Sequence, residues 1–528
     1  MAKPVNEEPG LFEVARLSRI SEASTPGEIP LSAFDALPDH EIYVPVWGLV
    51  RLTPLEAEVV DHPAFQRLRE ILQLGLTYLV FPSATHRRFE HALGTLHTVT
   101  MMMDSIDANL ALLRAKAISG ASGEDWQPDE PIRPHERIIT RLGALLHDVG
   151  HLANGHTFED ELSLLSPHDG DMRLAYVFDK TDWRATNHES LRSLVDRLYA
   201  DVAEAAQPGA TASELVLDVI SKDRLNAKAT EFFRKGVSRD LIGNTFCADL
   251  LDYLHRDWLH IGKLRFPDLR LLEYLEIRVN PVRDLGDADP SELVLNLGAG
   301  DRIRTDAVTA VLELLESRYQ LAEIALFHRT KLSASAMLER VVAEVTAVYK
   351  DPAGYTVSLV DGLMGCDDLE LYTFLEGQIQ AAIIAIGRGD AAVNPEATDD
   401  RLKCMSPLLT NLRLRKIHKL EVAVFSMGDS ELENRMRYFS GEPDSAARGT
   451  RRSSAGIRGG LARRDLARDL EDEFDLPAGS VAVYCPSSKM NAKVAEVRIL
   501  IGGGVQTLAQ HEQKSKKSNL TGGHLAAQ

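Results

Sequence analysis

Long apolar runs are missing from this chain: no stretch of about 18 uncharged apolar residues occurs, so no membrane-spanning helix is expected. The first residues, Met1-Ala-Lys-Pro-Val-Asn-Glu-Glu, lack the apolar centre of a signal peptide, and a cytoplasmic chain is expected. Cysteine is scarce. Cys247, Cys366, Cys404 and Cys485 stand far apart with no Cys-x-x-Cys, which argues against a disulfide framework and a thiolate zinc site. Basic charge is in deficit, 59 Lys and Arg against 78 Asp and Glu, for a formal charge of −19. Such a balance disfavours a dedicated nucleic-acid binder, whose affinity comes mainly from neutralising phosphates. It leaves open a small anionic ligand met by local basic groups.

What is present suits a helical globular protein. The 528 residues suffice for two or three cores, 44% are hydrophobic, and aromatic content is low at 6%. Residues 1–40 carry Pro, Glu and Ser without periodicity and read as a flexible arm. A core of 41–350 follows, with helical periodicity over 190–260 and 306–350, and then a C-terminal region of 351–510 that mixes helix with β-like stretches such as Ser480–Cys485 and Val494–Ile501. Between Gly441 and Arg468 seven Arg face three acids in a Gly/Ser/Ala-rich setting, which reads as a solvated loop over 441–468; a cluster meeting a nucleotide, nucleic acid or another subunit is the second reading. Residues 511–528 read as a disordered tail. There is no internal repeat.

His147 and Asp148 stand side by side in Arg141-Leu-Gly-Ala-Leu-Leu-His-Asp-Val-Gly-His151, at the end of an apolar helical stretch. Two strong polar groups buried there would cost roughly 2 kcal/mol or more each unless a metal or hydrogen-bond partner satisfies them. A third candidate, His91, precedes them in Arg87-Arg-Phe-Glu-His-Ala-Leu-Gly94. A fourth follows in Ala248-Asp-Leu-Leu-Asp-Tyr-Leu-His-Arg-Asp257, where Asp249, Tyr253 and Asp257 recur every fourth residue on one helical face. Two imidazoles and two carboxylates suit one divalent cation, and the donor set does not choose among Mn, Fe, Mg, Ni and Zn.

In that order and on helices, His91, His147, Asp148 and Asp249 resemble the HD-domain metal-dependent phosphohydrolases. From about 42 to about 350 the chain is similar to the branch of deoxynucleoside triphosphate triphosphohydrolases, through Asp61-His-Pro-Ala-Phe-Gln-Arg-Leu-Arg69, Gln73-Leu-Gly75, Phe81-Pro-Ser-Ala-Thr-His-Arg-Arg-Phe-Glu-His-Ala-Leu-Gly94, His147-Asp-Val-Gly-His151 and His328-Arg329. The fold expected is mainly α: an HD-domain helical core with a smaller α+β C-terminal portion. The resemblance implies catalytic roles for His151, His156, Glu159 and His188, with Glu159 standing where the family usually carries Asp. It implies substrate contacts for Gln73, Leu74, Arg88, Tyr253, Asp257 and Arg318. Asp61, Gln66 and Arg69 match positions that bind guanine of an activating nucleotide, which in the family promotes oligomer assembly, so a homo-oligomer is expected.

Departures bound the transfer. A phosphate-binding lysine of the family is Leu250 here, its Asp-Pro-Val/Ile-His-Gly phrase is Val44-Pro-Val-Trp-Gly48, the Asn just upstream is Tyr43, and a Tyr before His328 is Leu326. Three expectations follow: hydrolysis of a dNTP to deoxynucleoside and triphosphate; the same metal chemistry on another phosphoester, such as a nucleoside monophosphate, a signalling nucleotide or a single-stranded nucleic acid; or a catalytically weak nucleotide-sensing protein.

Overall fold

The computed structural model describes residues 40–510 apart from 119–129, 162–163, 184–185, 225–232, 266, 280–290, 300–301, 424–429, 441–450, 487–496, 502–503 and 509. The expected arm over 1–39 and the tail over 511–528 lie outside the described residues, as does the first part of the Arg-rich segment. The architecture is mainly α, with small sheets at its margins. No helix of the described residues is long and apolar enough to cross a membrane.

The described chain opens on a hairpin, β1 (His40–Val44) and β2 (Gly48–Leu52), closed by the pair Val44 and Gly48. Helix α1 (Pro54–Asp61) follows under a capping box, in which Thr53 Oγ1 accepts from Glu56 N at 3.2 Å and Glu56 returns a carboxylate oxygen to Thr53 N at 2.9 Å. The long helix α2 (Arg88–Ile118) carries His91 on its first turn. Helix α3 (Pro134–Leu146) starts on a proline that needs no N–H partner and turns Ile139, Leu142, Leu145 and Leu146 into the core. It ends at Leu146, so His147 and Asp148 leave its C-terminal end together.

Helix α4 (Ala248–His260) packs along α2. The crossing is close at Gly94, where a Cβ would sit 1.8 Å from Asp252 Oδ1; only glycine admits the approach. Trp258 of α4, fully buried, donates from Nε1 to Ser317 Oγ at 2.8 Å and so fixes α5 (Thr305–Leu321), which brings Arg318 alongside. Burying one such large apolar side chain contributes roughly 1.5–3 kcal/mol.

Beyond α5, helix α6 (Arg329–Thr346) is buried on nearly every face, with α7 (Pro352–Met364) and α8 (Glu370–Arg388) against it. One hydrophobic cluster runs from Val44 to Leu508, with members on both sides of residue 350. The segment expected to be a solvated loop differs: residues 451–468 belong to helix α9 (Arg451–Glu473). Its arginines are answered by acids of α6, with Arg463 Nε 2.9 Å from Glu339 Oε1 and Arg468 Nε 3.0 Å from Glu344 Oε1. The glycine content that suggests a loop serves packing here, since a Cβ on Gly460 would meet Leu164 Cδ1 at 2.9 Å.

Among the β-like stretches, Ser480–Cys485 forms no strand, whereas β5 (Arg498–Ile501) and β6 (Gly504–Thr507) pair. They join strands from much earlier in the chain, β3 (Leu275–Val279) and β4 (Ser291–Asn296), in the order β6-β5-β4-β3. Strand β5 runs parallel to β4, with Leu295 opposite Ile499.

Candidate metal centre

Helices α2, α3 and α4 bring four side chains together. His91 Nε2 lies 3.2 Å from His147 Nε2, 3.1 Å from Asp249 Oδ1 and 3.8 Å from Asp148 Oδ2. His147 Nε2 is 3.4 Å from Asp148 Oδ1 and 3.8 Å from Asp249 Oδ1. The tautomers follow from the partners. His147 Nδ1 donates to the Ala144 carbonyl at 2.7 Å and His91 Nδ1 donates to the Asp252 carboxylate at 2.7 Å. Both Nε2 atoms therefore present lone pairs to each other and to two carboxylates, a donor set that fits one divalent cation. Without the cation a proton serves instead: burial works against it, but hydrogen bonds that His91 donates to Asp249 and Asp252, with the charge of Asp148, hold its pKa up at about 10.

Asp252 was not apparent from the sequence as part of this centre. It is fully buried, and Arg256 pairs with both its oxygens, Nε to Oδ2 at 2.9 Å and Nη2 to Oδ1 at 2.8 Å. Burial alone would raise its pKa; Arg256 and His91 outweigh that and keep it ionised far below the usual range. A carboxylate behind a ligating imidazole fixes the ring and raises its basicity.

A second group lies on the other side of Asp148. His151 Nε2 is 3.3 Å from Asp148 Oδ1, and the His151 ring stacks on that of His168 with centroids 3.5 Å apart. His156 stands edge-on to His151 at 4.6 Å. Glu159, in the π-helical turn Thr157–Glu161, accepts from Arg173 Nη1 at 2.9 Å and from His168 Nδ1 at 3.1 Å, and its Oε2 is 3.8 Å from His151 Nδ1. Burial opposes charge on His168, yet Glu159, Asp169 and Asp148 raise its pKa to about 9. His151 goes the other way: burial, then Arg88 and His168, keep it neutral. His168 is absent from the sequence-based candidates because it sits in the turn-forming Ser166–Asp171, where histidines are ordinarily solvated.

The remaining candidates are distributed around these two groups. Arg88, 2% exposed, donates Nη1 to Asp148 Oδ2 at 2.7 Å and Nη2 to the Gln73 carbonyl at 3.3 Å, so it is committed to holding a ligand and a loop. Gln73 and Leu74 are buried, and Gln73 Oε1 has no hydrogen-bond partner among the described residues. Asp257 takes a hydrogen bond from His86 Nε2 at 2.7 Å. Burial pushes the Tyr253 hydroxyl pKa far up, with Arg318 opposing from nearby. Arg318 is half-buried, and its guanidinium makes no hydrogen bond or ion pair with the other described residues.

His188 stands apart. It is exposed, follows the strand Thr186–Asn187, and lies beside His62, whose Nε2 contacts the Glu189 carbonyl at 2.8 Å. Asp61 and Arg69 are exposed; Gln66 donates to the Val60 carbonyl at 2.7 Å and accepts from Arg69 Nε at 2.8 Å, while the Arg69 guanidinium covers the Phe89 ring. Leu250 is buried in the core, on the turn that carries Asp249.

No family model matches the chain. It is 27% identical over 326 residues to an uncharacterized protein of Methanocaldococcus jannaschii, covering 62% of this chain and 52% of that one. It is 36% identical over 122 residues to an HD domain-containing protein of Acanthamoeba polyphaga mimivirus, 22% of this chain and 24% of the other. The human protein named deoxynucleoside triphosphate triphosphohydrolase SAMHD1 is 35% identical over 115 residues, 22% of this chain and 16% of its own length. The matches thus span about half of the archaeal relative and a quarter or less of the other two. In ligand order, ligand geometry and sequence this chain is similar to HD-domain proteins.

Proposed function

We propose that the chain is a metal-dependent phosphohydrolase that cleaves deoxynucleoside triphosphates to deoxynucleoside and inorganic triphosphate. The observation that carries this reading is the facing pair of Nε2 atoms on His91 and His147, 3.2 Å apart and flanked by Asp148 and Asp249. Those four residues would hold the cation, which when bound supplies Lewis acidity towards phosphoryl oxygens. Arg318 would balance phosphate charge near Tyr253, a role supported by its half-buried guanidinium having no ion-pair partner among the described residues. Arg88 keeps Asp148 oriented and ties it to the Gln73 loop.

Hydrolysis at the α-phosphorus breaks the bond to the 5′ oxygen, which must leave with a proton. The His151, His156 and His168 cluster backed by Glu159 is the proton source on that side of Asp148, since His168 is held as an imidazolium at neutral pH. Gln73, with its unpartnered Oε1, and Asp257 supply polar contacts for a sugar hydroxyl, and Leu74 lines the same loop. The similarity to deoxynucleoside triphosphate triphosphohydrolases supports the substrate class. A second reading, the same chemistry on another phosphoester, is favoured by buried Leu250, which offers no cation where the related enzymes carry lysine.

An activating nucleotide at Asp61, Gln66 and Arg69, and a homo-oligomer formed with it, belong to the same proposal; the exposure of Asp61 and Arg69 supports it. The four cysteines are free thiols, which fits a cytoplasmic location. The deciding experiment incubates metal-reconstituted protein with each dNTP and rNTP, singly and mixed, and separates products by ion exchange, with Asp148→Ala as control. Triphosphate and deoxynucleoside that disappear in the variant support the reading. Turnover only in mixtures supports nucleotide activation, and no turnover of any triphosphate directs attention to monophosphates and signalling nucleotides.

A further inference from the structure

We propose that Trp47, at the tip of the β1–β2 hairpin, is a positioning residue for the metal centre: its indole N–H holds the carboxylate of Asp252, which in turn fixes the ligand His91. The inference rests on the metal reading of the His91, His147, Asp148 and Asp249 site.

The Asp252 carboxylate has room for about four donors, and four arrive. Oδ2 accepts from His91 Nδ1 at 2.7 Å and Arg256 Nε at 2.9 Å, while Oδ1 accepts from Arg256 Nη2 at 2.8 Å and Trp47 Nε1 at 2.5 Å. The residue is fully buried, so no water replaces a donor that is lost. Three of the four donors come from α2 and α4 themselves. The fourth reaches in from a two-stranded hairpin 205 positions earlier in the chain.

The hairpin is shaped for that reach. Val46 (φ 82°) and Gly48 (φ 72°) flank Trp47, both in the left-handed region; for a β-branched valine this is a strained conformation, held only where surrounding contacts over-determine it. Those contacts are present. Arg256 Nη1 donates to the Pro45 carbonyl at 3.3 Å, so one guanidinium grips both the turn and Asp252. The indole sits between His97 and His255, with ring centroids 5.5 and 5.0 Å away. A turn built only to join β1 to β2 needs neither the strained valine nor an indole directed at a buried carboxylate. Freeing the tip would let Asp252 rotate and release the orientation of His91.

The test is Mn²⁺ affinity of the full chain by calorimetry, with unfolding of the metal-free protein measured alongside. Trp47→Phe keeps a ring and deletes the donor. It is expected to weaken Mn²⁺ binding about tenfold or more, as loss of a partner behind a metal ligand commonly does. Trp47→His, which restores an N–H, is expected to bind closer to wild type than Trp47→Phe does. Leu49→Ala on the exposed face of the same hairpin should leave affinity unchanged. If Trp47→Phe does not fold, benzothienylalanine at position 47 keeps the ring volume and removes only the N–H, and the same loss is expected. A folded donor-less variant with wild-type affinity overturns the proposal. Wild-type protein that binds none of Mn²⁺, Fe²⁺, Mg²⁺, Ni²⁺ and Zn²⁺ sinks the metal reading and this inference with it, a result distinct from loss in the variant alone; if another of these ions binds where Mn²⁺ does not, the same comparison is made with that ion.

Discussion

His151 and His168 stack with ring centroids 3.5 Å apart, yet their environments drive them to opposite charge: His151 is kept neutral while His168 is held up at about 9. Two imidazoles in contact with unequal proton affinity make a donor and an acceptor rather than two copies of one function. Glu159 raises the one, accepting from His168 Nδ1 at 3.1 Å, while burial, Arg88 and His168 itself lower the other.

If His168 supplies the proton to the leaving oxygen, His168→Gln should lower kcat roughly a hundredfold and leave Mn²⁺ affinity within a few fold of wild type. The pH profile gives the sign. His168 acts as an acid, so wild-type kcat should fall as pH rises through about 9, and the Gln variant should lack that decline. Steady-state kinetics between pH 6 and 10 measure both. A variant that keeps wild-type kcat removes His168 from the chemistry.

Two glycines should be intolerant of even a methyl group, for reasons that differ. A Cβ on Gly94 would lie 1.8 Å from Asp252 Oδ1 and 2.5 Å from Arg256 Nη2, inside the network that orients His91. A Cβ on Gly150 would lie 2.1 Å from the His168 carbonyl oxygen, so the loop bearing His168 would have to withdraw. Overpacking of this kind costs about 1–3 kcal/mol or more. Gly94→Ala is expected to lose Mn²⁺ affinity and Tm together. Gly150→Ala should reproduce the kcat loss of His168→Gln while retaining Mn²⁺ binding, and calorimetry with kinetics on the pair separates the two outcomes.

Removing the metal should destabilise the fold, because the ligands come from three helices that a cation ties together. Free Mn²⁺ at a hundredfold over Kd would contribute about 2.7 kcal/mol to folding, so thermal unfolding should shift upwards on adding Mn²⁺ and back with a chelator. Asp249→Ala should abolish the shift.

The clustered side chains of the candidate centre are legible in the sequence because His147 and Asp148 sit where an apolar helical pattern stops, and because Asp249, Tyr253 and Asp257 share one face of a helix. Asp252 is not, since on that same helix it looks like one more solvated acid until Gly94 shows how closely α2 approaches. His168 is hidden by its turn-forming neighbours, and its role depends on Glu159 and His151 folding back over it. The Arg-rich segment misleads for the converse reason: its charges look solvated only while Glu339 and Glu344, more than a hundred residues earlier, are out of view.

Asp368 reaches the site from the C-terminal region. Its Oδ2 accepts from Leu72 N at 2.6 Å, next to Gln73, and its Oδ1 accepts from Asn154 N at 3.1 Å, between His151 and His156, where Asn154 is held at φ 51°. One side chain thus clamps the two loops that flank the metal centre. Burial pushes its pKa from the ordinary 3.8 up to about 6, although the two backbone N–H groups and then Arg87 and Arg88 oppose it. An acid with a raised folded-state pKa is held most tightly while protonated, so its contribution is complete below about pH 4 and is lost as pH rises through about 6. Asp368→Asn cannot ionise. The stability of wild type relative to this variant should therefore fall between pH 4.5 and 7.5, by about 1–3 kcal/mol, in urea denaturation at the two pH values. Asp368→Ala, which releases both loops, should raise KM severalfold at neutral pH with a smaller change in Mn²⁺ affinity, because neither Leu72 nor Asn154 is a metal ligand. A stability difference that does not vary with pH would mean that Asp368 is already ionised throughout, with the two N–H bonds outweighing its burial.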